Sequence, residues 1–176
     1  MVDGISNILL KGIITKIKSP LSIVFNKSLE EGIFPYDMKI GEIIPIYKGK
    51  DKQLMANYWP VSLIPVLLKV LEKIIYKWLY TFLINENILF ESQYGFRHGR
   101  STIQALTEFI GKVIEGFEEK KFTLGVFIDL SKAFDTLEHS TLLKKLESYS
   151  IRGVALQWFT SYLSNRSQYV KYNGHK

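Results

Sequence analysis

The sequence predicts a mixed fold of α+β type (α/β-like), with more helix than strand. Three observations carry that expectation. Apolar residues recur at helical spacing in several long stretches, short β-rich runs fall between them, and 47% of the 176 residues are hydrophobic, enough to build a core. A chain of this length is one domain, or one and a fraction.

The elements follow in chain order. Ser19-Pro20 has the form of a helix start, with Ser at the cap and Pro at the first helical position. Leu21, Val24, Phe25 and Leu29 continue at helical spacing, and Gly32 is placed to end the helix. Residues 39–47 read as a strand, and Pro45 assigns it to a sheet edge. The polar, basic run from Lys48 to Pro60 reads as a loop. Val66 to Asn85 is a helix whose core face carries Leu67, Leu71, Ile74, Ile75, Trp78, Leu79 and Phe82, with Lys69, Glu72, Lys73 and Lys77 mostly opposite.

Residues 93–102 read as a turn, and Ser101 with Gln104 forms a capping box for a helix carrying Ile103, Leu106, Ile110, Val113 and Phe117. Residues 122–129 (FTLGVFID) read as a buried strand ending in a carboxylate. Ser140 or Thr141 opens another helix, and Val154, Trp158, Phe159 and Tyr162 mark a further one. Residues 168–174 are a short strand closing on the turn dipeptide Asn173-Gly174.

Composition excludes several functions. There is no cysteine, hence no disulfide partner, thiolate zinc site or cysteine nucleophile. The three histidines, His98, His139 and His175, show no metal-ligand spacing. No run is long and apolar enough to span a membrane, and the first residues do not form a secretory signal. The net charge of +6 is spread evenly along the chain, so a basic tail is excluded while a basic face is compatible with a nucleic-acid partner.

Four groups of residues could carry chemistry. Asp129 ends an apolar strand before a turn and helix, where open α/β sheets bind ligands, although a loop acid or helix cap fits the same spacing. Lys48, Lys50 and Lys52 alternate with Gly49 and Asp51, so flexible ammonium groups could hold phosphates or simply solubilise a hairpin tip. Arg97 and Arg100 flank glycine just before a helix, a phosphate site or a surface turn. Tyr58, Trp59, Tyr94, Phe96 and Phe134 could stack on bases, but aromatics in an apolar-rich chain more often belong to the core.

Taken in order, PLSIVFNKSLEEGIFP, KIGEIIPIYKGKD, NYWPVSLIPVLLKVLEKII, SQYGFRHGRST, GVFIDLSKAFDTLEHSTLLKKL and YSIRGVALQWFTSYLSNRSQYV resemble the reverse transcriptases of non-LTR, LINE-type (jockey-like) retrotransposons across essentially the whole chain. The resemblance implies the helix-rich fingers (about 1–120) and the beginning of the palm (about 121–176) of a right-hand polymerase, with the palm sheet incomplete. It implies template-directed addition of a dNTP to a DNA primer on an RNA template with two Mg²⁺ ions, and an intracellular location, nuclear or cytoplasmic. Asp129 matches the first catalytic aspartate, and the Leu130 carbonyl would help hold a metal. Phe134 matches the aromatic that excludes a ribose 2′-OH, Lys48 the lysine that meets the triphosphate, and Arg97 a block near template and nucleotide. Lys132 and Asp135 are not expected to bind metal.

Two departures accompany the matches. The family reads Asn-Tyr-Arg-Pro where this sequence reads Asn57-Tyr58-Trp59-Pro60, and tryptophan cannot clamp a triphosphate through charge. The AspAsp dipeptide of the family is absent from the sequence, and one matched carboxylate cannot hold two ions. The expectation is therefore a fragment ending before that motif and inactive alone. The alternatives are a non-catalytic nucleic-acid-binding remnant, in which Lys50, Lys52 and Arg100 join Lys48 and Arg97, and a non-functional pseudogene product.

Overall fold

A computed structural model describes residues 4–130 and 132–171. They form a mixed helix and sheet fold in two compact units, Met1–Trp78 with Leu137–Lys176, and Leu79–Thr136. The elements are α1 (Asn7–Glu31), β1 (Ile40–Tyr47), β2 (Tyr58–Leu63), α2 (Val66–Asn85), α3 (Thr102–Glu118), α4 (His139–Ser148), α5 (Gly153–Leu163) and β3 (Ser167–Val170).

In the first unit, α1 starts thirteen residues before the expected Ser19-Pro20, because Ser6 caps it: its hydroxyl accepts the Leu9 N–H at 3.0 Å. Pro20 therefore lies inside the helix. It forfeits one main-chain bond, a cost of about 3 kcal/mol, which burial on both sides of it, at Leu10 and Phe25, helps offset. The C-terminus is as expected: Gly32 adopts φ 67° and its N–H bonds the Leu29 carbonyl.

The core of this unit gathers Phe25, Phe34, Leu68, Leu71 and Trp158. Phe34 meets Trp158 and Tyr162 edge-on, with centroids 5.5 and 5.0 Å apart. The buried Trp158 indole donates to Ser28 Oγ at 3.0 Å, and Ser28 donates to the Ile33 carbonyl at 2.6 Å, which links α1 to α5. The predicted face of α2 is sound at Leu71, but Trp78, expected in the core, is 55% exposed.

The sheet has the order β2-β1-β3, antiparallel between β1 and β2 and parallel between β1 and β3. Pro45 had placed β1 at an edge, yet β1 is the central strand. The reason is local. β3 pairs only with Ile40–Ile43, so β1 has a free side at Pro45. Pro45 faces Pro60 across the other ladder, two residues without an N–H at a position where none is needed. β2 itself, read from sequence as the end of a loop, exists because this register accommodates its proline.

In the second unit, the capping box of Ser101 and Gln104 opens α3 as expected. The expected buried strand at 122–129 does not form. Residues 121–130 are neither strand nor helix, and Phe122, Leu124, Val126, Phe127 and Ile128 are all at least 74% exposed. An apolar run becomes a strand only where a neighbour supplies main-chain partners and a face to bury. Here the run instead touches α3, where Phe127 meets Phe109 with centroids 5.4 Å apart. The apolar face of α3 contains no buried residue. Of the strand expected at 168–174, residues 168–170 belong to β3 and Lys171 does not, while 172–174, with Asn173-Gly174, lie outside the described residues.

Candidate nucleic-acid interface

The most fully built candidate is the tip of the β1–β2 hairpin. Tyr47 and Tyr58 are the last paired residues, with ring centroids 5.5 Å apart, and Lys48 N–H closes the ladder on the Asn57 carbonyl at 2.8 Å. Beyond them the chain turns through Gly49 at φ 113° and Lys50 at φ 75°. A left-handed lysine is disfavoured, so the turn needs fixing from outside. The two tyrosines provide it: Tyr47 donates its hydroxyl to the Lys50 carbonyl, and Tyr58 donates to the Lys52 carbonyl at 2.9 Å. Asn57 Nδ2 donates to the Asp51 carbonyl at 2.8 Å, and Asp51 Oδ1 accepts the Gln53 N–H at 2.9 Å.

Holding the loop by its carbonyls leaves the side chains of Lys48, Lys50 and Lys52 exposed. None of the three is in an ion pair among the described residues. Aromatic faces position two of them: Lys48 Nζ lies 5.2 Å from the Trp59 ring centroid, and Lys52 Nζ lies 5.7 Å from that of Tyr47. Trp59 pairs with Ile46 in the ladder and is 60% exposed, against the expectation that such aromatics are core. The tyrosine clamps were missed in the sequence, although an aromatic on either side of a basic, glycine-containing run is a readable signal.

The other matched residues lie in the second unit. Arg97 donates to the Phe90 carbonyl at 2.8 Å, and its buried Nε–H has no hydrogen-bond partner. Arg100 stacks 5.4 Å from the Tyr94 ring centroid, and Tyr94 donates its hydroxyl to Glu108. One first-turn N–H of α3, that of Gln104, is taken by Ser101 Oγ at 3.3 Å. Phe96 and Phe134 are 85% and 79% exposed and meet edge-on at 6.1 Å, so the turn at 93–102 lies beside the segment after Asp129. Phe134 and Phe96 are thus not core either.

Asp129 and Leu130 are exposed, in the extended run. Among the described residues no three His, Asp or Glu side chains stand where they could share a cation. Each Mg²⁺ demands near-octahedral oxygen ligation, so these residues by themselves do not fit a two-ion site. No described helix is long and apolar enough to cross a membrane.

An ordered hairpin with exposed aromatics and lysines that are in no ion pair among the described residues, on a mixed helix and sheet fold, is a cationic surface. Comparison with known proteins is more specific. The profile of the family described as reverse transcriptase (RNA-dependent DNA polymerase) matches residues 47–176, and the chain belongs to that family. Relatives include the RNA-directed DNA polymerase from mobile element jockey of Drosophila melanogaster, 32% identical over 89% of this chain and 17% of the relative. The jockey polymerase of Drosophila funebris is 33% identical over 73% of this chain and 14% of the relative. These similarities support the non-LTR retrotransposon type that the motifs suggested. The chain spans less than a fifth of the length of the relatives it matches.

Proposed function

We propose that this chain supplies the fingers-like part (about 1–120) and the first part of the palm (about 121–176) of a right-hand RNA-directed DNA polymerase of a retrotransposon. The reaction is template-directed dNTP addition to a DNA primer on an RNA template. The observation that carries this reading is the tyrosine-clamped hairpin, whose Lys48, Lys50 and Lys52 ammonium groups stand unpaired and exposed in a chain of reverse transcriptase family. Lysines so placed hold phosphates as point charges. Lys48 meets the triphosphate, Lys50 and Lys52 the nucleic-acid backbone, and Arg97 and Arg100 add charge near template and nucleotide. Phe134 excludes a ribose 2′-OH sterically.

Trp59 replaces the clamp arginine of the family. Loss of one charge-assisted clamp costs on the order of 3–4 kcal/mol in a transition state, or about 10²–10³ in rate. Asp129, with the Leu130 carbonyl, would contribute to a magnesium cage, but the described residues do not complete one. These 176 residues therefore bind template and primer without turnover when isolated.

Primer extension on an oligo(dT)-primed RNA template, run beside a binding titration of the same duplex, tests both parts. The expected result is binding without incorporation. Incorporation abolished by Asp129→Ala would overturn the inactivity, and absence of binding would overturn the nucleic-acid reading.

A further inference from the structure

A second cationic site lies in the first unit, on residues to which the family resemblance assigns no role. Lys39, just before β1, is only 7% exposed. Its ammonium donates to the Ser164 carbonyl at 3.1 Å, at the C-terminal cap of α5. That contact satisfies one of three donors and suits the negative end of a helix. No carboxylate pairs with Lys39 among the described residues, and a buried ammonium without a counter-charge is costly.

Lys39 lines a cavity of about 230 Å³ together with Gly41, Ser62, Ile64, Arg166, Ser167 and Gln168. Strand register explains why these residues meet. Gly41 pairs with Gln168 across the parallel ladder, and Ser62 pairs with Ile43 across the antiparallel one, so Gly41, Ser62 and Gln168 share one face of the sheet. Glu42 and its partner Tyr169 alternate to the other face, where the Tyr169 hydroxyl donates to Glu42 at 3.3 Å. The residues lining the cavity thus include two cations, the Ser62 hydroxyl, an amide and the apolar Ile64, and no acid. Arg166 rests its guanidinium 4.8 Å from the Tyr162 ring centroid and uses one N–H on the Tyr162 carbonyl at 3.2 Å, which leaves further donors. Glu72 is engaged by the Tyr162 hydroxyl at 2.6 Å.

We propose that this cavity, lined by buried Lys39 and exposed Arg166 together with Ser62 and Gln168, is a phosphate-binding site. Its volume of about 230 Å³ lies below the ~300–1,000 Å³ of pockets that enclose drug-sized ligands. That suits one hydrated phosphate group and not a whole nucleotide. The phosphate is carried by a nucleic-acid backbone, an assignment that rests on the function proposed above. The site itself rests only on the cavity.

The test uses the whole chain and two probes: inorganic phosphate followed by phosphorus NMR, and a fluorescent oligouridine without terminal phosphates followed by anisotropy. Gly41→Val adds a branched side chain on the cavity's face of the sheet and leaves both cations in place. A Cβ there meets only the Leu63 carbonyl, at an ordinary 3.8 Å. Arg166→Gln, at an exposed position, is the second variant and does not depend on how the strand tolerates valine. Each is expected to weaken phosphate binding about tenfold or more while melting cooperatively like the parent.

A parallel loss with oligouridine assigns the site to the backbone. A loss confined to inorganic phosphate supports the site and assigns it to the free ion. Phosphate bound by both variants as tightly as by the parent would overturn the proposal. Lys50→Gln with Lys52→Gln reports separately on the hairpin: unchanged oligouridine affinity there would sink the hairpin reading and leave the phosphate titration untouched.

Discussion

Replacing Lys48, Lys50 and Lys52 together by glutamine removes three charges while keeping a polar side chain one atom shorter. The turn survives, because its carbonyls are held by Tyr47, Tyr58 and Asn57 and not by the lysine side chains. Two exposed cation–π contacts are lost, Lys48 on Trp59 and Lys52 on Tyr47, worth about 0.5–1 kcal/mol each. The melting temperature therefore moves by only a few degrees. Binding changes far more. Each phosphate neutralised on a single strand contributes about −0.7 to the slope of log affinity against log salt. Three exposed ammonium groups, unpaired among the described residues, then account for a slope of about −2. Between about 50 and 200 mM salt, the parent loses roughly 20-fold more affinity for oligouridine than the triple variant. Fluorescence anisotropy at four or five salt concentrations measures both slopes. Equal slopes would refute the argument, since they would mean that these ammonium groups displace no counterions.

Three further outcomes follow from the first unit. Ser28→Ala leaves the buried Trp158 indole N–H without its acceptor and costs about 1–3 kcal/mol; urea melts report it, and a double-mutant cycle with Trp158→Phe recovers most of the loss. Gly32→Ala forces a left-handed alanine, about 1–2 kcal/mol, and pushes its Cβ to 3.1 Å from Gln157 and the Val154 carbonyl of α5, so the same melts show a larger loss than at an open helix end. Burial, and then the hydrogen bond to Glu72, push the Tyr162 phenol up to about 12 from its ordinary value near 10. A raised pKa stabilises the fold below pH 10, and that stability is lost as pH climbs from 10 towards 12. Melts in that window are expected to flatten in Tyr162→Phe.

The legible parts of this fold are those governed by local chemistry. The Ser101–Gln104 box, the Gly32 cap and the span of α2 all follow from side chains that bond or pack within a few residues of themselves. The errors came where distant residues decide. Ser19-Pro20 has every local feature of a helix start, but a second cap at Ser6 together with burial of Leu10 and Phe25 carried the helix through the proline. Pro45 argues for an edge, and only the length of β3, set at the other end of the chain, makes that true for half of β1. Residues 122–129 have the composition of a buried strand, yet strandness depends on a neighbour that local composition cannot supply. At the candidate interface, the lysines and the Trp59 substitution were readable as residue types, while the tyrosine clamps that order them were not. The cavity of Lys39 and Arg166 was invisible, because its lining comes from residues 39 to 168.

The order and spacing of the motifs, read in one dimension, established membership of the reverse transcriptase family, because a motif is a local string that survives without its surroundings. Which cations lack an ion pair among the described residues, which aromatics face solvent and which cavity Lys39 and Arg166 both line were decided by tertiary structure. Those are properties of distance between residues far apart in the chain, and strand register sets them: a shift of one residue would carry Gly41, Ser62 or Gln168 to the opposite face of the sheet.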